Sequence, residues 1–452
     1  MSELFNFRVS KRVFLGLVCS ILFFNSVEAR RVQNPTLLAK YAKVVGEEKT
    51  DELYELSRPL EGRRILEVNT TQFGGGVAEM LKALVPLFNE LGIISERLIF
   101  NVGDDERISG LIKKVFNAFQ GKDIEIKEEE WKALEEFRDR FVGSYIDKLK
   151  GSDILVLHDG AIVLAPAIRA RLGDECPKII WRMHYDSSKP SQTVKEFINR
   201  YGLADIADKI VYSMPDYIIP EIETPHVLIH PAIDPLSDKN KDLSEEEIRT
   251  IIKEYGVDPE RPILLQVSRF DYFKDPLGVI EVYKLAKERI KGLQLVLIGG
   301  SASDDPEGKV ILDQVRIASE GDKDIHVITN TSDIMVNAFQ RGLGNTVVIQ
   351  KSLKESFGLT VTEAMWKGTP VVASNVGGIS YQITDNVTGF LHDPHDIQGF
   401  ADRVVSLFEN PRIRKEIGEG GSNFVREHFL LPNLVKSRLN LFLEVLGLNN
   451  SP

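Results

Sequence analysis

The chain has 452 residues, 43% of them hydrophobic, and a formal net charge of −11. This length implies two or three packed domains and the hydrophobic share excludes a disordered chain, while the acidic balance argues against nucleic acid or an anionic membrane as the main partner. Its two cysteines, Cys19 and Cys176, make neither a disulfide framework nor a metal-ligand set, and fit a reducing compartment.

In chain order, Arg8, Lys11 and Arg12 precede the apolar run 13–24, and Val27-Glu28-Ala29 resembles a small-residue cleavage site. Three readings of residues 1–31 are open: a secretory signal, a membrane-proximal anchor, or translated sequence upstream of the true start. Residues 34–60 read as helical. Residues 64–68 form the first apolar strand, followed by Gly74-Gly75-Gly76 and an amphipathic helix over 77–91. Strand, glycine loop and helix open a doubly wound α/β domain. Further strands are expected at 95–100, 153–158, 178–181, 209–212 and 226–230, with an acidic helix over 127–140. The polar segment 231–242 reads as a linker. A capping box at Ser244–Glu247 starts a second strand–helix series. Its strands are expected at 263–267, 293–299, 325–329, 346–350 and 370–373, and its helix at 276–291. An amphipathic helix over 431–446 ends the chain.

Chemistry concentrates after two of these strands. Arg269 and Lys274 follow strand 263–267, where ligands of open α/β sheets bind. A guanidinium and an ammonium there suit a diphosphate clamp. Glu355 and Glu363 flank the glycine turn Ser356-Phe357-Gly358 that runs into a helix. Such a turn offers free N–H groups and a positive dipole end to an anion, and the carboxylates accept hydrogen bonds from sugar or ribose hydroxyls. The stretch reads as a nucleotide-sugar site.

The blocks SRFDYFKDP, ESFGLTVTEAMWKGTPVVASNVGGI, NTTQFGGGVAEML and WRMHYD resemble retaining GT-B glycosyltransferases of family 4, in the branch of trehalose glycosyltransferring synthases and their trehalose phosphorylase relatives. The resemblance runs from about Asn34 to the C-terminus. It implies two Rossmann-like domains facing across a cleft, at 32–240 for the acceptor and 241–430 for the nucleotide sugar, with a last helix (431–452) returning to the first domain. It implies an NDP-glucose donor and glucose or trehalose as the other partner. Glu363 would bind ribose and Glu355 the donor glucose, helped by amides around Phe357, Gly358 and Leu359. Arg269 and Lys274 would hold the diphosphate. Gly74, Gly75 and Gly76 would approach it without side-chain clash. His184 would contact the donor sugar, and Asp159 and Glu79 the acceptor. No cofactor is expected, and no metal, because the two cationic side chains serve in its place.

Two departures from the family pattern stand out. Gly160-Ala161 replaces the usual Pro-Gln after His158-Asp159, which leaves the acceptor open. Gly342–Asn345 stands where an alanine-rich helix end is usual, near a base pocket expected at 329–331. The base preference is not legible. Trehalose phosphorylase and a membrane-associated transferase are the alternatives. Membrane association and a homodimeric state stay open. Because nucleotide sugars are cytosolic, a start downstream of residue 31 and a cytoplasmic location are the favoured expectations.

Overall fold

The computed structural model describes residues 36–70, 72, 76–100, 106–300 and 306–448. The N-terminal apolar segment, Gly74 and Gly75 lie outside them. Two parallel sheets organise the rest. The first contains β1 (Arg64–Asn69), β2 (Ile94–Ile99), β3 (Ile154–His158), β4 (Lys178–Arg182), β5 (Lys209–Tyr212) and β6 (His226–Leu228), in the order β2-β1-β3-β4-β5-β6. The second contains β7 (Ile263–Val267), β8 (Gln294–Ile298), β9 (Ile325–Ile328), β10 (Thr346–Gln350), β11 (Val371–Ser374) and β12 (Phe390–His392), in the order β12-β11-β10-β7-β8-β9.

Both faces of each sheet are covered. Leu66, Val68, Leu155 and Leu157 pack into one core, and the alternating Ile65, Ile154 and Val156 into another. Two-sided burial is why β3, β7, β8 and β10 carry near-continuous apolar runs instead of alternation. Each fully buried large aliphatic side chain contributes about 1.5–3 kcal/mol, so these runs dominate the stability of both sheets. In the first sheet the strand order reverses between β1 and β3, and in the second between β7 and β10. The carboxyl ends of those strands form the crevices where ligands of this architecture bind.

Several elements differ from expectation. The helix read over 34–60 is two helices, Leu37–Val45 and Glu47–Ser57, because Gly46 turns the chain at φ +91°. The acidic helix extends to Lys150 with a kink at Tyr145. The strand read over 226–230 stops at Leu228 on the sheet edge. Helices Glu106–Phe119 and Gln192–Tyr201, and strand β12, were not foreseen.

The terminal helix Leu431–Val445 returns to the first domain. Phe442 meets Phe88 at 5.6 Å between ring centroids, and Leu434, Val435 and Leu439 join the same core. The chain thus crosses between the domains twice, and the crossings lie side by side. The amide of Ile233 donates to the Phe429 carbonyl, and that of Leu431 to the Ile233 carbonyl, each at 2.9 Å. Asp234 is still held by Tyr41 of the first domain at 2.9 Å, and from Asp238 the linker is fastened to the second domain. Asn337 Nδ2 donates to the carbonyls of Asp238 and Lys241, and Trp366 Nε1 to that of Asn240. No helix among the described residues is long and apolar enough to cross a membrane.

Candidate active site

The second domain supplies a compact constellation. Strand β7 delivers Arg269 and a short 3₁₀ turn, Tyr272–Lys274. Gln266 on β7 anchors that turn through Nε2 to the Lys274 carbonyl at 2.8 Å. Lys274 Nζ donates to Glu355 Oε2 at 2.6 Å, with both side chains nearly enclosed, 15% and 12% exposed. Arg269 is 64% exposed and stands 3.1 Å from Asp271, so its guanidinium keeps most of its surface for a ligand.

The Glu355 turn is gripped from both sides. Gly377 sits at φ +47°, and a Cβ there would fall 1.9 Å from the Glu355 carbonyl oxygen, so only glycine admits this approach. From the first domain, Tyr217 Oη donates to the Ser356 carbonyl at 2.5 Å. Lys354 reaches across to the Gln120 carbonyl at 2.6 Å and lies 3.5 Å from Asp186. Phe357 is buried against Phe429. Gly358, at φ +86°, turns the chain into helix Leu359–Trp366.

That helix start faces another. Helix Gly76–Glu90 begins in the first domain, and a Cβ on Gly76 would lie 3.2 Å from Leu359 Cδ1. Two helix N-termini, each a positive dipole end, thus converge on one place in the cleft. Beside them lies a cavity of about 380 Å³ lined by residues of both domains, including Gly76, Glu79, Lys239, Asp333, Leu359 and Glu363. Lys239, from the linker, pairs with Glu79 at 2.9 Å, with Asp333 at 3.6 Å and with Glu363 at 4.0 Å. Burial pushes the Glu363 carboxyl up, and Lys239 and Lys367 pull it back down.

The first domain contributes a polar cluster at the ends of β3 and β4. Asp159 adopts φ +52°, and its Oδ1 accepts the His184 amide at 2.7 Å. His184 Nε2 lies 3.0 Å from His158 Nδ1, and His158 Nε2 lies 2.7 Å from Glu67 Oε2. Arg438, from the terminal helix, closes the chain on Glu67 Oε1 at 2.5 Å. Burial raises the Asp159 carboxyl from 3.8 to about 7, against the opposing pull of the His184 amide and Arg182. Asp159 therefore keeps its proton in the native state where the unfolded chain has lost it. Its contribution to native stability is present below about 4 and is lost as pH rises to about 7. Asp159→Asn keeps an oxygen for the His184 amide and cannot ionise. It is expected to flatten this part of the melting-temperature profile, and parallel wild-type and variant curves from pH 5 to pH 8 would exclude Asp159 as its source.

The structure brings Lys274 to Glu355, Asp159 to His184, and Gly76, Glu79, Leu359 and Glu363 around one cavity. It leaves Arg269 outside direct contact with these groups. Sequence reasoning missed Glu67, Lys239, Tyr217 and Arg438. A carboxylate within the apolar strand 64–68 was the available signal for Glu67, because buried charges are rare unless paired.

Residues 67–219 match the family model "Trehalose synthase, N-terminal domain", and residues 247–424 match "Glycosyl transferases group 1". A trehalose synthase of Rubrobacter xylanophilus is 43% identical over 91% of this chain and 97% of its own. The chain belongs to the trehalose synthase family. Another member, from Pyrococcus horikoshii, is 38% identical over 89% of this chain and 95% of its own. Among solved structures, a glycosyltransferase from Rickettsia africae superposes with a TM-score of 0.64 at 20% identity, covering 86% of this chain and all of that one, which speaks for the GT-B fold. The protein is thus a glycosyltransferase, and its chemistry is a trehalose-related glycosyl transfer.

The Gly160 amide donates to Tyr185 Oη at 3.0 Å, a bond that proline has no N–H to make. Ala161 beside it is fully buried.

Proposed function

We propose that the protein transfers a glucosyl group from an NDP-glucose to the anomeric hydroxyl of glucose, reversibly and with retention, giving α,α-trehalose. The observation that carries this reading is the Lys274–Glu355 pair at the carboxyl ends of β7 and β10, beside two converging helix N-termini. In this assignment residues 241–430 hold the donor and residues 32–240 the acceptor.

Arg269 and Lys274 take the diphosphate, together with the amides of Phe357, Gly358 and Leu359 and the helix start at Gly76. Their charges and dipoles are fixed before reaction, so they stabilise the leaving phosphate at little reorganisation cost. Glu355 orients Lys274 and accepts donor-sugar hydroxyls. Glu363 takes the ribose hydroxyls at the cavity between the domains, and Glu79 lies at the same cavity on the acceptor side. His184 and Asp159 meet the sugars from the first domain. As the C1–oxygen bond to the diphosphate lengthens, C1 gains oxocarbenium character. The acceptor oxygen then attacks from the side the diphosphate is leaving, and passes its proton to the departing phosphate oxygen. No metal takes part in this scheme. Contacts of the Glu355 turn with Tyr217 and, through Lys354, with the Gln120 carbonyl hold the cleft closed and keep water from the donor.

Purified protein incubated with trehalose and a nucleoside diphosphate is expected to yield NDP-glucose. Product formed only with inorganic phosphate would overturn this reading in favour of a phosphorylase.

A further inference from the structure

We propose that Glu67 and His158 are positioning residues that hold His184 as its Nε2–H tautomer, offering Nδ1 to the bound hexose as a hydrogen-bond acceptor. The inference rests on the reading that His184 faces the donor sugar.

The proton order follows from the partners. Glu67, His158 and Arg438 are all but fully buried, with exposures of 0%, 1% and 2%. Glu67 is ionised, because Arg438 donates to its Oε1 at 2.5 Å and a guanidinium keeps its charge. An ionised carboxylate only accepts, so His158 Nε2, 2.7 Å from Glu67 Oε2, carries the proton. A second proton on His158 would add a buried charge to a neighbourhood already holding Arg182 and Arg438, where Glu67 is matched by Arg438 alone. Burial accordingly holds His158 below the ordinary imidazole value. Its Nδ1 is then an acceptor, and the partner at 3.0 Å, His184 Nε2, must donate. The two rings lie 9° from parallel, 5.3 Å apart. Asp159 fixes the His184 backbone through its amide, and no protein group among the described residues bonds His184 Nδ1. The atom left for the sugar is a lone pair. It takes a hydrogen bond from a sugar hydroxyl. Which ring nitrogen carries the proton is set by the bond the other makes, and here that setting passes through two buried side chains.

The test uses the full chain with ¹⁵N-labelled histidine. Long-range ¹H–¹⁵N spectra of the free protein at pH 8 are expected to show His158 and His184 neutral and protonated on Nε2. In Glu67→Gln, the amide oxygen can accept from Arg438 while the amide nitrogen donates to His158 Nε2, so both rings should move to Nδ1–H. For that variant, kcat/KM for NDP-glucose is expected to fall about 10–100-fold, as for one unmade buried hydrogen bond. Inhibition by the nucleoside diphosphate, which lacks the hexose, is expected to stay unchanged. A wild-type His184 protonated on Nδ1, or charged, overturns the proposal, and so does a flipped variant with wild-type kcat/KM. The wild-type spectrum decides the tautomer even where Glu67→Gln does not fold. It also stands apart from the donor assignment, which fails separately if no NDP-glucose is turned over.

Discussion

Lys274→Ala is expected to lower glucosyl-transfer turnover by about 10²–10³-fold, the scale for removing one preorganised group from a developing charge. The ammonium lies 2.6 Å from Glu355 in a nearly enclosed site, where charge is poorly screened. Its loss removes a cation from the leaving diphosphate and also leaves Glu355 unpaired. The second effect predicts non-additivity: the double variant Lys274→Ala/Glu355→Gln should lose less in total than the two single losses summed. Steady-state kinetics with NDP-glucose and glucose, alongside a melting curve for each variant, measure this. Turnover near wild type in a folded Lys274→Ala protein would remove Lys274 from the machinery.

Arg438→Met is expected to destabilise the protein by about 3–5 kcal/mol, the cost of stripping one partner from a buried ion pair. Methionine retains the apolar packing of the arginine stem and removes the charge. In the wild type, burial pushes the Glu67 carboxyl up, but Arg438 and His158 overcome it and hold the carboxyl below the ordinary value of 4.5. A depressed carboxyl contributes stability above its unfolded pKa, and that stability is lost as pH falls through the folded value. Without Arg438 the pull weakens and Glu67 protonates more readily. The stability gap between variant and wild type should therefore be widest near pH 7.5 and narrower near pH 5. Thermal melts at the two values test this, and a gap independent of pH would argue that only packing was lost.

Much of the fold was legible because fully buried parallel strands must be continuous and apolar, and the chain marks their ends with glycine, proline and asparagine. The turn around Gly358 and the clamp at Arg269 and Lys274 were legible for a related reason: each lies within a few residues of a strand end. What was not legible joins distant segments. Glu67 and Arg438 are 371 positions apart, so no local spacing rule connects them. Lys239 sits in a polar run that reads as a solvated linker. It acquires meaning only when folding places Glu79, Asp333 and Glu363, from three other segments, around it. Gly46 was present to be read, yet the apolar periodicity continues across it and conceals the elbow. The edge strand β6 pairs with β5 alone and ends at Leu228, short of its apolar run.

The paired crossings at Ile233 and Leu430 limit how the enzyme can move. A single peptide link would let one domain twist, slide and tilt against the other. Two links bonded backbone to backbone behave like a door hinge, resisting torsion and shear and bending about one line. Residues 238–242 are tied to the second domain and Asp234 to Tyr41 of the first, so the bend falls between these anchors and beside 429–431. Two such links favour bending over twist and shear. The parts farthest from that bend travel along the longest arc, and whatever meets across the cleft there does so along that arc.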